Sequence, residues 1–167
     1  VDSAKSTWIW RINNVDLLGV FRNPALIAAL SAWALAQILK MPVHYAQSRD
    51  WDWSLLLRAG GMPSSHSALV TATAHGIGLT IGFDSSLFAL SVAMAMIVIY
   101  DATGIRREAG KQATIINAIV QDILEGHPLR GQEQLREVLG HSPMEALVGS
   151  ILGVVIAQIL VPLWTTN

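Results

Sequence analysis

The sequence predicts an all-α protein, an integral membrane helical bundle with about four spanning helices plus amphipathic surface helices. Three observations lead there. The 167 residues are 52% hydrophobic and only 14% charged, with a mean hydropathy of +0.45, too apolar for an ordinary water-soluble domain and of single-domain length. The apolar residues are gathered into four runs, Pro24 to Leu39, His66 to Phe83, Ser86 to Tyr100 and Ala146 to Trp164. Small residues recur within those runs, among them Ala72, Ala74, Gly76, Gly78, Ala89, Ala93, Ala95, Gly149 and Gly153, as expected where membrane helices approach closely.

Taken in order, residues 1–22 mix Trp8, Ile9, Trp10, Leu17, Leu18 and Phe21 with Arg11 and Arg22. They are expected to form an interfacial segment, or the remnant of a longer chain, ahead of a membrane-embedded domain over 23–167. The first and third runs are short for a span of about 20 residues. The first can cross by borrowing Met41 to Ala46, and either can cross by tilting or where the bilayer thins. The second and fourth approach full length. Between Gly104 and Gly140 the character changes: Ala113, Ile116, Ile119, Val120, Ile123 and Leu124 recur at helical spacing opposite Lys111, Gln112, Asn117, Gln121 and Asp122. This predicts an amphipathic surface helix ending at Gly126 and Pro128, with a shorter one near Gln132 to Leu139.

If each run crosses once, Lys40, His66, Asp101 and His141 all emerge on one side. That side also carries eight of the 11 basic residues, Lys5, Arg11 and Arg22 being the other three. The positive-inside tendency places it at the cytoplasmic face. There is no cysteine, and a net charge of −1 gives no case for nucleic acid as a partner. No His-Glu-x-x-His motif or pair of aspartate-rich motifs is present, so no obligatory metal and no cofactor are expected.

Two clusters carry chemistry. Gly60-Gly61-Met62-Pro63-Ser64-Ser65-His66-Ser67-Ala68 is a turn opening into an apolar helix. Serines free to cap, and a histidine beside the exposed amides of a helix start, make a place where an anion can be held and protonated. In Gly140-His141-Ser142-Pro143-Met144-Glu145, the four-residue spacing lets Glu145 accept a hydrogen bond from one imidazole nitrogen of His141 and leave the other basic. An oriented histidine of that kind can attack phosphorus. Each cluster also reads as a capped helix start and nothing more. The two together, on one side and with cations between them, are what phosphoryl transfer through a covalent intermediate requires.

Pro63-Ser64-Ser65-His66, the later His141-x-x-x-Glu145 and Asp101-Ala102-Thr103-Gly104-Ile105-Arg106-Arg107 make the chain resemble the divergent branch of the type 2 phosphatidic acid phosphatase superfamily, which also includes vanadium haloperoxidases. The resemblance covers roughly Asn23 to Leu160. It implies a metal-independent phosphatase with Ser65 as a hydrogen-bond donor to the phosphate, His66 as the acid, His141 as nucleophile and Glu145 as its orienting carboxylate. Lys40 and Arg49 are similar to the first motif, although their spacing is longer than usual and Asp50 follows where a proline is usual; Arg58 is a rival. In the third motif Arg136 stands one residue closer to the histidine than is usual, and Glu replaces Asp. Arg106 and Arg107 are the preferred replacement phosphate ligands, with membrane anchoring as their other reading.

The implied substrate is a membrane lipid phosphate, such as phosphatidylglycerophosphate, phosphatidic acid or an isoprenyl phosphate. The bilayer is the surrounding partner, and a homodimer through the small-residue faces is an expectation. Two alternatives stay open: a catalytically silent lipid-binding or scaffold protein keeping the same fold, and a small transporter subunit. Of the other polar residues, His75 within the second run is a functional candidate as an ionisable group inside a span, or else bonds Thr71 or Thr73, and His44 is expected to line the mouth of the site.

Overall fold

The computed structural model describes residues 17–51, 53–56, 60–124 and 140–166. They form five α-helices, α1 (Pro24–Ser48), α2 (Ser65–Ile81), α3 (Ser86–Thr103), α4 (Ile105–Leu124) and α5 (Pro143–Thr165), with 310 turns at Leu17–Arg22 and Trp53–Leu56. There is no strand among the described residues.

Local chemistry starts each of the bundle helices. Asn23 caps α1 by accepting from the Leu26 amide at 3.0 Å, with Pro24 in the first turn. Ser64 caps α2 through the Ser67 amide at 3.3 Å, and Ser85 caps α3 through Phe88 at 3.2 Å. Ser142 and Glu145 form a reciprocal capping box at the start of α5, again with a proline in the first turn. α1 runs on past the apolar run through Pro42 and stops at Arg49, whose left-handed φ of 60° closes it. The flanking residues thus lengthen the first helix, as its short apolar run requires.

α2 is the centre of the bundle and packs on α5, α1 and α3. The core is built of small side chains: Ala28, Ala29, Ala32 and Ala36 of α1, Ala68 and Ala72 of α2, and Ala157 and Val161 of α5. Alanines bring backbones close, so contact is made by main chain and methyl groups rather than long side chains. Gly76 shows how close: a Cβ there would stand 2.9 Å from the Ala25 Cα. By contrast Ala89 and Ala93 of α3 are exposed and make no helix contact face. α3 buries only Ala95 and Ala102 fully.

Much of the outer surface is apolar. Leu90, Met96, Ile97, Ile151 and Leu163 are each more than half exposed. Such a surface belongs against hydrocarbon. Three stretches are long and apolar enough to cross a membrane, α1, the run that starts with α3, and α5. α2 has 17 residues, about 25 Å of rise, and is shielded by the other three. The expected segment 1–22, apart from its last turn, and the expected helix near Gln132 to Leu139 lie outside the described residues, as do Gly126 and Pro128.

Candidate active site

The starts of α2 and α5 lie side by side. The Ser64 amide donates to the Glu145 carbonyl at 3.0 Å, tying the turn before α2 to the first turn of α5. Gly149, one turn further along α5, permits this closeness, because a Cβ there would collide with the Ser64 carbonyl. Gly153 repeats the device against the Ala68 carbonyl and the Thr71 hydroxyl. Thr71 adds a tie to the Ser150 carbonyl at 3.1 Å. On the other flank the His141 amide donates to the Ala102 carbonyl at 3.0 Å, hanging the residue before the α5 cap on the last turn of α3.

His141 is buried, and its Nδ1 lies 2.9 Å from Glu145 Oε2. A carboxylate only accepts, so in the neutral ring Nδ1 carries the proton and Nε2 the lone pair. Nε2 is buried and has no hydrogen-bond partner among the described residues. An orphaned polar atom in a native interior calls for a function or a ligand. The His66 ring stands 6.0 Å from that of His141, centroid to centroid, inclined by 61°. Glu145 Oε2 also accepts from the Ser142 amide at 3.3 Å, so one carboxylate both caps α5 and orients His141.

Lys40 enters from α1. It is 2% exposed, and its aliphatic stem runs beneath Gly61. Gly60 and Gly61 have φ of 100° and 80°, conformations open to glycine, and so let the chain turn over the lysine. A cleft of about 40 Å³ lined by Lys40, His44, Gln47 and Met62 opens beside it. Ser65 is buried in the first turn of α2, and the capping duty falls to Ser64.

The structure therefore brings Lys40, Ser65, His66, His141 and Glu145 to one end of the bundle. Arg49 stands farther out at the same end, exposed at the close of α1, nine positions beyond Lys40, or about 13 Å along the axis. Arg106 and Arg107 fall in the first turn of α4, just beyond Ala102, and their side chains lie outside the described residues. Arg136 and Arg58 lie outside them altogether. His75 bonds Gln158 of α5 at 2.8 Å, whereas Thr71 and Thr73 spend their hydroxyls on backbone carbonyls. Sequence reasoning missed Gln37, which donates to the Leu56 carbonyl at 2.9 Å and holds the α1–α2 connection over this end. The signal was an amide one turn before Lys40 in an otherwise apolar run.

A half-buried and a buried histidine at two adjoining helix starts, with a buried lysine beside them in a four-helix membrane core, define a membrane protein of the phosphatidic acid phosphatase type. The chain belongs to the Divergent PAP2 family, which matches residues 21–156. It is 43% identical over 148 residues to the "Uncharacterized membrane protein YuiD" of Bacillus subtilis, covering 83% of this chain and 94% of that protein. No solved structure matches.

Proposed function

We propose that the protein is a metal-independent phosphatase of membrane lipid phosphates working through a phosphohistidine. The observation that carries this reading is the state of His141: one ring nitrogen fixed on Glu145, the other buried and unpartnered among the described residues, with His66 alongside.

In the first step His141 Nε2 attacks phosphorus. The phosphorus–oxygen bond to the lipid alcohol breaks, and His66, protonated, gives its proton to the departing oxygen. The imidazole that becomes phosphorylated carries positive charge, which Glu145 opposes across the 2.9 Å contact. Lys40, Ser65 and the amides at the start of α2 hold the equatorial oxygens, joined by Arg106, Arg107 or Arg136. In the second step water attacks the phosphohistidine, His66 takes its proton, and inorganic phosphate leaves with His141 restored. Opening at the end of apolar helices, the site suits a phosphomonoester or pyrophosphate at headgroup level, with phosphatidylglycerophosphate, phosphatidic acid and isoprenyl phosphates as candidates. The uneven spread of lysine and arginine supports a cytoplasmic placement.

The test is phosphate release from these lipids in detergent with EDTA present, comparing the parent with His141→Ala. Release that vanishes in the variant, and that vanadate inhibits, supports the reading. A folded parent that binds lipid phosphate but releases nothing replaces it with a silent lipid-binding protein.

A further inference from the structure

α4 is the one helix of the described set that the bundle does not explain. It packs on α3 alone, and its strongly amphipathic sequence leaves the apolar stripe open. Ile105 is 62% exposed, Ile116 46%, Ile119 52% and Val120 39%. At 100° per residue these side chains lie within about 100° of one another around the axis, so they form a single stripe. Nothing in the described protein covers it.

The joint between α3 and α4 says which way the stripe looks. α3 turns Ala95 and Ala102 to the bundle and Leu90, Ile97 and Tyr100 away from it. At Gly104, with φ of −102° and ψ of −82°, the helix breaks. A groove of about 420 Å³ opens there, lined by Tyr100 and Gly104 on one side of the joint and by Ile105, Glu108, Ala109 and Gln112 on the other. Tyr100 belongs to the outward flank of α3, and Ile105 and Ala109 belong to the stripe of α4. The stripe and the outward flank thus face a common space.

α3 rises about 27 Å over its 18 residues, nearly the thickness of the hydrocarbon core. The next residues include Arg106, Arg107, Glu108 and Lys111, which exclude α4 from the bilayer centre. We infer that α4 lies along the membrane interface, its isoleucine stripe buried at the acyl boundary as a continuation of the lipid-facing flank of α3. The occupant of the stripe is lipid, not a second protein. The first two turns of α4 then lie at the level of lipid phosphates.

The chain has no cysteine, so single nitroxide labels can be placed without removing native residues. Ile116→Cys and Val120→Cys sample the stripe, and Thr114→Cys and Ala118→Cys the opposite side; all four positions are exposed. The full chain is reconstituted in vesicles of phosphatidylcholine and phosphatidylglycerol. Collision rates with oxygen, which concentrates in lipid, and with a water-soluble nickel chelate are then measured. The inference expects an oxygen-to-nickel ratio several-fold higher at 116 and 120 than at 114 and 118. High nickel access at all four overturns it and leaves α4 standing in water. Low access to both reagents at 116 and 120 also overturns it, because protein then covers the stripe. Neither result depends on whether the protein hydrolyses phosphate.

Discussion

Replacing Glu145 with glutamine separates the two jobs its carboxylate performs. Oε2 takes the Ser142 amide at 3.3 Å, a structural cap, and His141 Nδ1 at 2.9 Å, the orienting contact. The amide oxygen of glutamine can still accept both bonds, so Glu145→Gln keeps the cap and removes the charge. A net hydrogen bond to a charged group is worth about 1.5–3 kcal/mol. The Glu145 side chain is 25% exposed, so solvent screening brings the term down to about 1–2 kcal/mol. At about 1.4 kcal/mol per factor of ten, kcat falls by roughly 5–30-fold. That is a floor, since an amide that turns its NH2 toward Nδ1 also moves the ring proton to Nε2 and removes the nucleophile. Phosphate release with EDTA present reads kcat, and a melting curve of the detergent-solubilised protein reads the cap. Glu145→Ala, which loses the cap as well, melts lower by the equivalent of about 1 kcal/mol. If Glu145→Gln is as active as the parent while His141→Ala is inactive, the carboxylate is a helix cap only and the orienting argument fails.

Lys40→Gln is expected to lower kcat/KM for lipid phosphate by roughly 10–150-fold, the loss of one charge-assisted phosphate contact, whereas Arg49→Ala changes it less than about twofold. Equal losses from the two would restore Arg49 to the site. Gly153→Val forces side-chain carbon into the α2 backbone at Ala68 and Ala72 and is expected to destabilise the bundle by about 1–3 kcal/mol or more, seen as a lowered melting midpoint, whereas the exposed Leu147→Ala leaves the midpoint nearly unchanged. Removing the interhelical bond with Gln158→Leu is expected to cost only about 0.6 kcal/mol of stability and to leave kcat intact, which a paired melting and turnover measurement checks.

The helix starts were legible because their signals are local. Asn23-Pro24, Ser64 with its flanking Pro63, and Ser142-Pro143 each place a capping side chain where the chain must stop being extended. The pairing of His141 with Glu145 was legible for the same reason: four residues at a helix start fix their separation. What the chain alone did not show was how far α1 extends past the apolar run. Lys40 and Arg49 look like partners along the chain, but α1 continues through Pro42 and carries Arg49 more than two turns away. A proline removes one hydrogen bond from a helix, and here the chain keeps its course despite that loss. His75 is the opposite case. Its partner Gln158 is 83 residues distant, and only the packing of α2 on α5 reveals it; the nearby threonines were taken up by their own helix carbonyls. Small residues were an unreliable guide on α3, where Ala89 and Ala93 face outward, because an alanine tolerates a contact without requiring one.

The two histidines depend on one interface. His66 moves with α2 and His141 with the start of α5, so their 6.0 Å ring separation is set by how closely those helices pack. That closeness is set in turn by the Ser64 to Glu145 bond and by the missing Cβ atoms of Gly149 and Gly153. Any side chain at 149 pushes against the Ser64 carbonyl, which belongs to the same residue that caps α2 and donates to Glu145. The displacement therefore reaches both histidines at once, without touching either. Gly149→Ala is accordingly expected to reduce turnover more than its loss of stability explains, with the His66–His141 geometry as the quantity disturbed. A variant that melts lower but turns over normally would show that the site tolerates the separation of its two helices, and the glycines would then serve packing alone.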